Sequence, residues 1–256
     1  MTTFAAILAD RLRRDPGQPL VTFYDHATDE RVELSVTTYG NWVAKAASLL
    51  VDELGLEKGD TLRVDLPPHW LGTVFIGAAW TGGLVVTDAD DPAAVVCGPG
   101  TLDTWAPQTP ARIVLACSLL PLGVRFAAPV PTGVHDVGVE IWSQPDAFAP
   151  WDPPAEDDEA VRWTGPDMSS PNGSDGSTAD GATLTHRELW ETAAAGDLLD
   201  GGGRLLTIAN PASPPGLATF TEPLVRGGSV VLVARAERER LEATYSSERA
   251  TARFPA

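Results

Sequence analysis

The stretch from residue 62 to residue 86 constrains this chain more than any other. Leu62, Val64 and Leu66 alternate with polar neighbours as strand residues do, an apolar run follows over 69–80, and Leu84, Val85 and Val86 read as a short buried strand. A strand, a helix and a strand at that spacing close as a right-handed crossover, which requires a parallel sheet with helices on its faces. The same region carries no formal charge from Leu66 to Thr87, long enough to raise the question of a membrane span. Pro67 and Pro68 at its start and Gly82 and Gly83 near its end leave roughly 13 helical residues, too few to cross a bilayer.

The rest of the pattern agrees with that architecture. Phe4, Ile7, Leu8 and Leu12 recur at helical spacing behind a threonine and stop at Asp15-Pro16-Gly17. Runs 20–24 and 30–35 read as a hairpin. Tyr39, Val43, Ala46, Leu50 and Leu54 mark an amphipathic helix, with Thr37 or Thr38 to cap it and Gly55 to close it. Weaker strand signals follow at 94–97, 112–117 and 134–142, with Thr101 capping a short helix after the first. Beyond residue 183 the alternation resumes: a helix from Thr185, strands at 205–209, 230–233 and 251–254, and helices over 216–225 and from 236. The expected class is α/β, with mostly parallel sheets, helices on both faces and an N-terminal hairpin.

Between 140 and 180 the pattern breaks. Ten acidic residues (Glu140, Asp146, Asp152, Glu156, Asp157, Asp158, Glu159, Asp167, Asp175 and Asp180) share that window with one basic residue, Arg162, and with many Pro, Gly and Ser. Such composition buries little and reads as a linker or mobile loop. The expected organisation is an α/β sub-domain over 1–145, an acidic linker over 146–182 and a second α/β sub-domain over 183–256.

Charge and composition then exclude function classes. Lys+Arg 18 against Asp+Glu 35 gives a net charge of −17, which repels phosphate backbones and anionic headgroups, so neither nucleic acid nor membrane is an expected partner. The opening MTTFAAILADRLRR lacks the basic n-region of a secretory signal, and a cytoplasmic protein is expected. Cys97 and Cys117 lie in apolar strand-like runs and read as buried reduced thiols. His26, His69, His135 and His186 have no carboxylate at ligand spacing, and the contiguous acids Glu156 to Glu159 read as a solvated loop, so no metal site is expected. The eight tryptophans read mainly as packing residues. No dinucleotide fingerprint, Walker loop, zinc-protease helix or nucleophile elbow is present.

Residues 20–92 contain, in order, a hairpin, a helix, LGLEKGD, a strand, PPHW, a helix, AAWTGG and a strand. That order resembles the opening of the adenylate-forming superfamily, the acyl-CoA synthetases and related AMP-binding ligases. The similarity resumes at GATLTHREL (181–189), which resembles the segment that follows the family's phosphate loop, and continues through 204–234. Thr185 and Glu188 also form a T-x-x-E capping box, which local physics alone explains.

The resemblance implies that a loop of the type T-S-G-T-T-G-x-P-K-G wraps the ATP phosphates. Here the corresponding residues run from Asn172 to Gly181, so Gly173, Ser174, Gly176, Ser177 and Thr178, with Thr185, are the candidate remnant phosphate-binding residues. Asp180 stands at the lysine position and Asp175 at a threonine position. A carboxylate ~4 Å from a phosphate charge costs ~4 kcal/mol at an effective dielectric near ~20, a loss of roughly a thousandfold in affinity. The family's P-L-F-H-x-x-G landmark falls on Asn210 to Gly216, with Ser213 in place of the histidine. Its adenine-binding Y-G-x-T-E segment, its ribose-binding aspartate and its small carboxy-terminal domain with a catalytic lysine have no counterpart before Ala256.

These departures predict a degenerate, truncated relative, a pseudoenzyme that is not a competent ligase alone, has no assignable catalytic residue and acts by binding or regulation. The alternative is an atypical ATP-dependent acid–AMP or acyl-CoA ligase, using ATP and Mg²⁺ with Asp175 or Asp180 as a metal contact, and completed by a partner chain. A protein partner or a second copy is expected over the face formed by 205–254.

Overall fold

Thr3 caps the first helix: its hydroxyl accepts the Ala6 amide and α1 (Phe4–Arg14) follows. The computed structural model describes residues 3–165 and 181–255. Strands β1 (Pro19–Asp25) and β2 (Glu30–Ser35) form the expected hairpin. Ser35, rather than Thr37 or Thr38, caps α2 (Val36–Ser48), because its hydroxyl meets the Thr38 amide while Thr37 turns back to the Pro16 carbonyl. The helix widens into a π turn over Leu49–Glu53, and Gly55, in the left-handed region at φ 73, ends it.

Strand β3 (Thr61–Asp65), helix α3 (Trp70–Gly82) and strand β4 (Val85–Thr87) make the parallel crossover that the sequence pattern requires. They are followed by β5 (Ala94–Cys97), α4 (Leu102–Trp105), β6 (Ile113–Ala116), β7 (Val134–Asp136) and α5 (Val137–Glu140). The strand signal over 134–142 stops early because Asp136 accepts the Gly138 amide and starts α5. Inside the acidic window lies β8 (Glu159–Arg162), whose Ala160 and Val161 are buried, as is Trp163 just beyond it. The remaining elements are β9 (Thr183–Thr185), α6 (His186–Ala195), β10 (Arg204–Thr207), α7 (Pro214–Val225), β11 (Ser229–Ala234), α8 (Arg238–Ser247) and β12 (Ala252–Phe254).

Two sheets result, one of five strands in the order β12-β10-β11-β1-β2 and one of seven in the order β7-β6-β5-β3-β4-β8-β9. Every pairing is parallel except β1 with β2 and β8 with β9. Each sheet takes strands from both halves of the sequence: β1 runs beside β11, with Val21 opposite Val230. Between the sheets sits the main core, where side chains of α1, α2, α3, α6 and α7 meet Leu20 and Leu232 from one sheet and Leu62, Val64 and Val96 from the other. The outer face of the seven-stranded sheet packs on Trp105 of α4, and that of the five-stranded sheet on Leu241 and Tyr245 of α8. Helices therefore cover both faces, as expected. Cys97 and Cys117 are buried free thiols; burial pushes Cys97 up to about 12 and Cys117 well above its ordinary value. Among the described residues no helix is long and apolar enough to cross a membrane.

One buried cation ties the ends of the chain together. Arg11 on α1 is 5% exposed, and its Nη1 donates to the carbonyls of Leu224 and Gly228, both at 3.1 Å, and of Pro223 at 3.4 Å. The Leu224 carbonyl belongs to the last turn of α7 and that of Gly228 to the turn beyond it, so the arginine caps the end of this helix from a distant segment. Arg11→Met retains the aliphatic stem and removes the donor to the Leu224 and Gly228 carbonyls, and it should cost about 2–3 kcal/mol in urea-denaturation measurements.

Candidate functional site

The antiparallel pair β8–β9 brings together the two ends of the segment implied to hold phosphate. Val161 lies opposite Leu184 and Arg162 opposite Thr183. Beyond the strands the Trp163 amide donates to the Ala182 carbonyl at 2.8 Å, and the Thr164 amide donates to the Asp88 carboxylate at 2.6 Å. Gly181 closes this stem, because a Cβ there would lie 1.9 Å from the Trp163 carbonyl oxygen. Gly173, Ser174, Gly176, Ser177 and Thr178, together with Asp175 and Asp180, fall outside the described residues.

Thr185 is described, and its hydroxyl is already engaged. It accepts the Glu188 amide at 3.2 Å and donates to Glu188 Oε2 at 2.8 Å, while the Thr185 amide donates to the same oxygen at 2.9 Å. This is the reciprocal capping box that opens α6. The Thr185 amide first, and then its hydroxyl, hold the Glu188 carboxyl below its ordinary range.

The cations around the stem are also paired. Arg187 meets Glu156 at 2.7 Å and Asp157 at 3.1 Å, and Arg162 pairs with Glu159. Lys58 meets Asp158 at 3.0 Å and Asp152 at 3.2 Å, and Lys45 meets Asp146 at 3.0 Å. The acidic run that reads as a solvated loop thus supplies counter-charges to the side chains nearest the stem. Neither lysine of the sequence is left to meet a phosphate, so the described residues do not fit the ATP and Mg²⁺ that the family resemblance implies. Among them no group of three or more His, Cys, Asp or Glu side chains could hold a metal ion.

The second family landmark is a self-contained turn. Asn210 Oδ1 accepts the Ala212 amide at 3.0 Å, and Ser213 Oγ donates to the Asn210 carbonyl at 2.7 Å. Asn210 Nδ2 donates across to the Leu66 carbonyl at 2.7 Å, so this turn at the end of β10 is fastened to the end of β3 in the other sheet. Ser213, at the position of the family's histidine, faces its own turn.

Three histidines are buried, and two of them, His69 and His186, are strongly shifted in pKa. His69 caps α3, its Nδ1 accepting the Leu71 amide at 3.2 Å, and its ring lies 4.6 Å from that of Phe23. A histidine just before an apolar run was the available sequence signal for this role, and a residue-type search for metal ligands misses it. His186, the first residue of α6, has no hydrogen-bond partner at either ring nitrogen. Burial lowers both to about 4.

No family model matches the chain. Among solved structures the fold is similar to an acyl-CoA synthetase of Brucella canis, with a TM-score of 0.78, 16% identity and coverage of 98% of this chain but 46% of that one. The anthranilate CoA ligase AuaEII, solved in complex with anthranoyl-AMP, gives 0.74 and 13%, over 97% of this chain and 48% of the ligase. The N-terminal domain of FACL13 from Mycobacterium tuberculosis gives 0.71 and 15%, over 98% and 62%. The chain thus has the fold of the N-terminal part of acyl-CoA synthetases and spans about half the length of the full-length synthetases it matches. Among curated proteins, a TIGR03089 family protein of Mycobacterium tuberculosis (strain ATCC 25618 / H37Rv) is 33% identical over 225 residues, 82% of this chain and 90% of that protein. The chain belongs to the TIGR03089 family.

Near pH 7 His69 and His186 are neutral in the folded protein, whereas an unfolded histidine titrates near ~6.5. Between pH ~6.5 and ~4 the unfolded chain therefore binds more protons, and stability falls as the pH falls, by on the order of 3 kcal/mol per histidine at the limit. Urea unfolding at pH 7 and pH 4.5 should show that loss. His186→Phe should make the dependence shallower, whatever it does to stability at pH 7.

Proposed function

We propose that this protein is a non-ligase member of the adenylate-forming fold, working by binding rather than by adenylation. The observation that carries this reading is the engagement of Thr185: its hydroxyl, the one described member of the candidate phosphate set, is closed into a helix cap with Glu188. Three further features support it. Arg187 beside it is neutralised by Glu156 and Asp157, both lysines are paired elsewhere, and Asp175 and Asp180 occupy a threonine and the lysine position of the loop motif. Adenylation places a triphosphate in line with a carboxylate and stabilises the charge that develops on it, which requires cations and donors that remain free. The role carries with it a protein partner, or a second copy, against the face formed by 205–254.

The test is ATP–pyrophosphate exchange with the purified chain and a panel of short, medium, long-chain and aromatic carboxylic acids. No exchange above a protein-free control is expected, and Mg·ATP should leave Tm unchanged. Exchange with any acid that changes in Asp180→Ala would establish the ligase reading in its place.

A further inference from the structure

We propose that the crevice at the carboxyl ends of β3 and β5 is a binding site for a small primary amine carrying an apolar body. Sheet topology puts a crevice there. From β3 the chain leaves over the inner face through α3 and returns at β4, on one side; from β5 it leaves over the outer face through α4 and returns at β6, on the other side. In open α/β sheets, neighbouring strands whose connections part in this way leave a gap beyond their carboxyl ends, and ligands bind in such gaps.

The gap is real in this molecule. A cleft of about 380 Å³ opens between Asp65, Leu66 and Pro67 at the end of β3 and Gly98 and Thr101 after β5, with Leu119 forming a further wall. That volume is at the small end of the range for small-molecule sites. Leu119 holds a left-handed backbone (φ 57), a costly conformation for a leucine, and its Cδ1 lies 3.1 Å from where a Cβ on Gly98 would stand. Non-glycine residues held in this region cluster at ligand sites, where the surrounding structure enforces them.

Asp65 supplies the chemistry. Trp105 Nε1 donates to Asp65 Oδ2 at 2.6 Å, so the carboxylate is fixed by a neutral donor, and Thr101 Oγ1 donates to the Asp65 backbone carbonyl at 3.1 Å. Arg63, two residues earlier on β3, is turned instead to the Asp88 and Ala89 carbonyls and the Asp90 carboxylate. Among the described ion pairs none involves Asp65. A fixed carboxylate without a counter-ion, set beside leucine and proline walls, matches an ammonium group attached to an apolar body. The net charge of −17 raises the local concentration of such cations. The stem that holds Thr185 is on β9, beyond β4 and β8 in the same sheet, so the two sites are separate.

The experiment titrates phenethylamine into the ¹⁵N-labelled full chain at pH 7 and follows the Trp105 indole N–H resonance, assigned with Trp105→Phe. A saturable shift with a millimolar Kd is expected, with none from 3-phenylpropionate, which has a similar body and the opposite charge. Asp65→Asn keeps an acceptor for Trp105 and should weaken binding at least tenfold. Gly100 also lines the cleft and has no heavy atom within 4 Å of a built Cβ, so Gly100→Leu should fold normally and abolish the shift. A shift that does not saturate, an equal response to 3-phenylpropionate, or binding unchanged in both Asp65→Asn and Gly100→Leu would overturn the proposal.

Discussion

Helix α3 has almost no solvent face, and the rest of the molecule is arranged around that fact. All but one of its residues are buried, so both sheets and the neighbouring helices must supply apolar surface on every side. Close approach depends on small residues along it. A Cβ at Gly77 would lie 2.5 Å from the Tyr39 hydroxyl and 2.7 Å from the Phe4 ring, so α1 and α2 reach α3 only because position 77 has no side chain. The Tyr39 hydroxyl then donates to the Thr73 carbonyl at 2.8 Å, which satisfies a phenol that burial pushes well above its ordinary pKa. Trp80, from the same helix, reaches β8 by donating to the Ala160 carbonyl, and packs against Trp190 with ring centroids 5.4 Å apart.

The polar contacts between distant segments follow from this packing. With α3 filling the interior, distant segments are tied at its edges, where Asn210 bonds to Leu66 of the other sheet and Arg11 of α1 meets the end of α7. On the outer face of the five-stranded sheet, Arg204 and Arg31 share Glu248, and the Tyr24 hydroxyl donates to the same carboxylate at 2.5 Å. These groups are half-buried and mutually satisfied, and they join β1, β2 and β10 to the segment after α8. The excess acid of the chain is thus partly structural, because the Glu248 cluster and the pairs around β8 engage carboxylates that a count of charges treats as free.

Much of the architecture was legible in the sequence because period and burial coincide there. The 62–86 crossover, the 20–35 hairpin and the Thr185–Glu188 box are each set by neighbours within a few residues. The strand at Glu159–Arg162 was not legible, because its two buried residues, Ala160 and Val161, are too short an apolar run to stand out between Glu159 and Arg162 in an acidic window. Ser35 displaced Thr37 and Thr38 as a cap because Thr37 has a tertiary partner in the Pro16 carbonyl. Of the tryptophans, Trp70, Trp80, Trp163 and Trp190 are packing residues as expected, whereas Trp151 is fully exposed. For the candidate site, the sequence pointed to Thr185 as a phosphate contact and as a helix cap together, and the cap is the contact seen, closed through Glu188 Oε2.

The pairing of β1 with β11 has a consequence for how the chain is made. Val21 to Asp25 leave the ribosome more than two hundred residues before their parallel partners Val230 to Ala234. Until those arrive, β1 has only β2 beside it, and the apolar side chains of α1 and α3 lack the surface of α7 and β11 against which they finally pack. Contacts of such sequence separation slow folding, since a long loop must close before they form. The nascent chain must therefore carry its most apolar helix without its final cover until β11 has emerged, an interval in which apolar surface is open to aggregation.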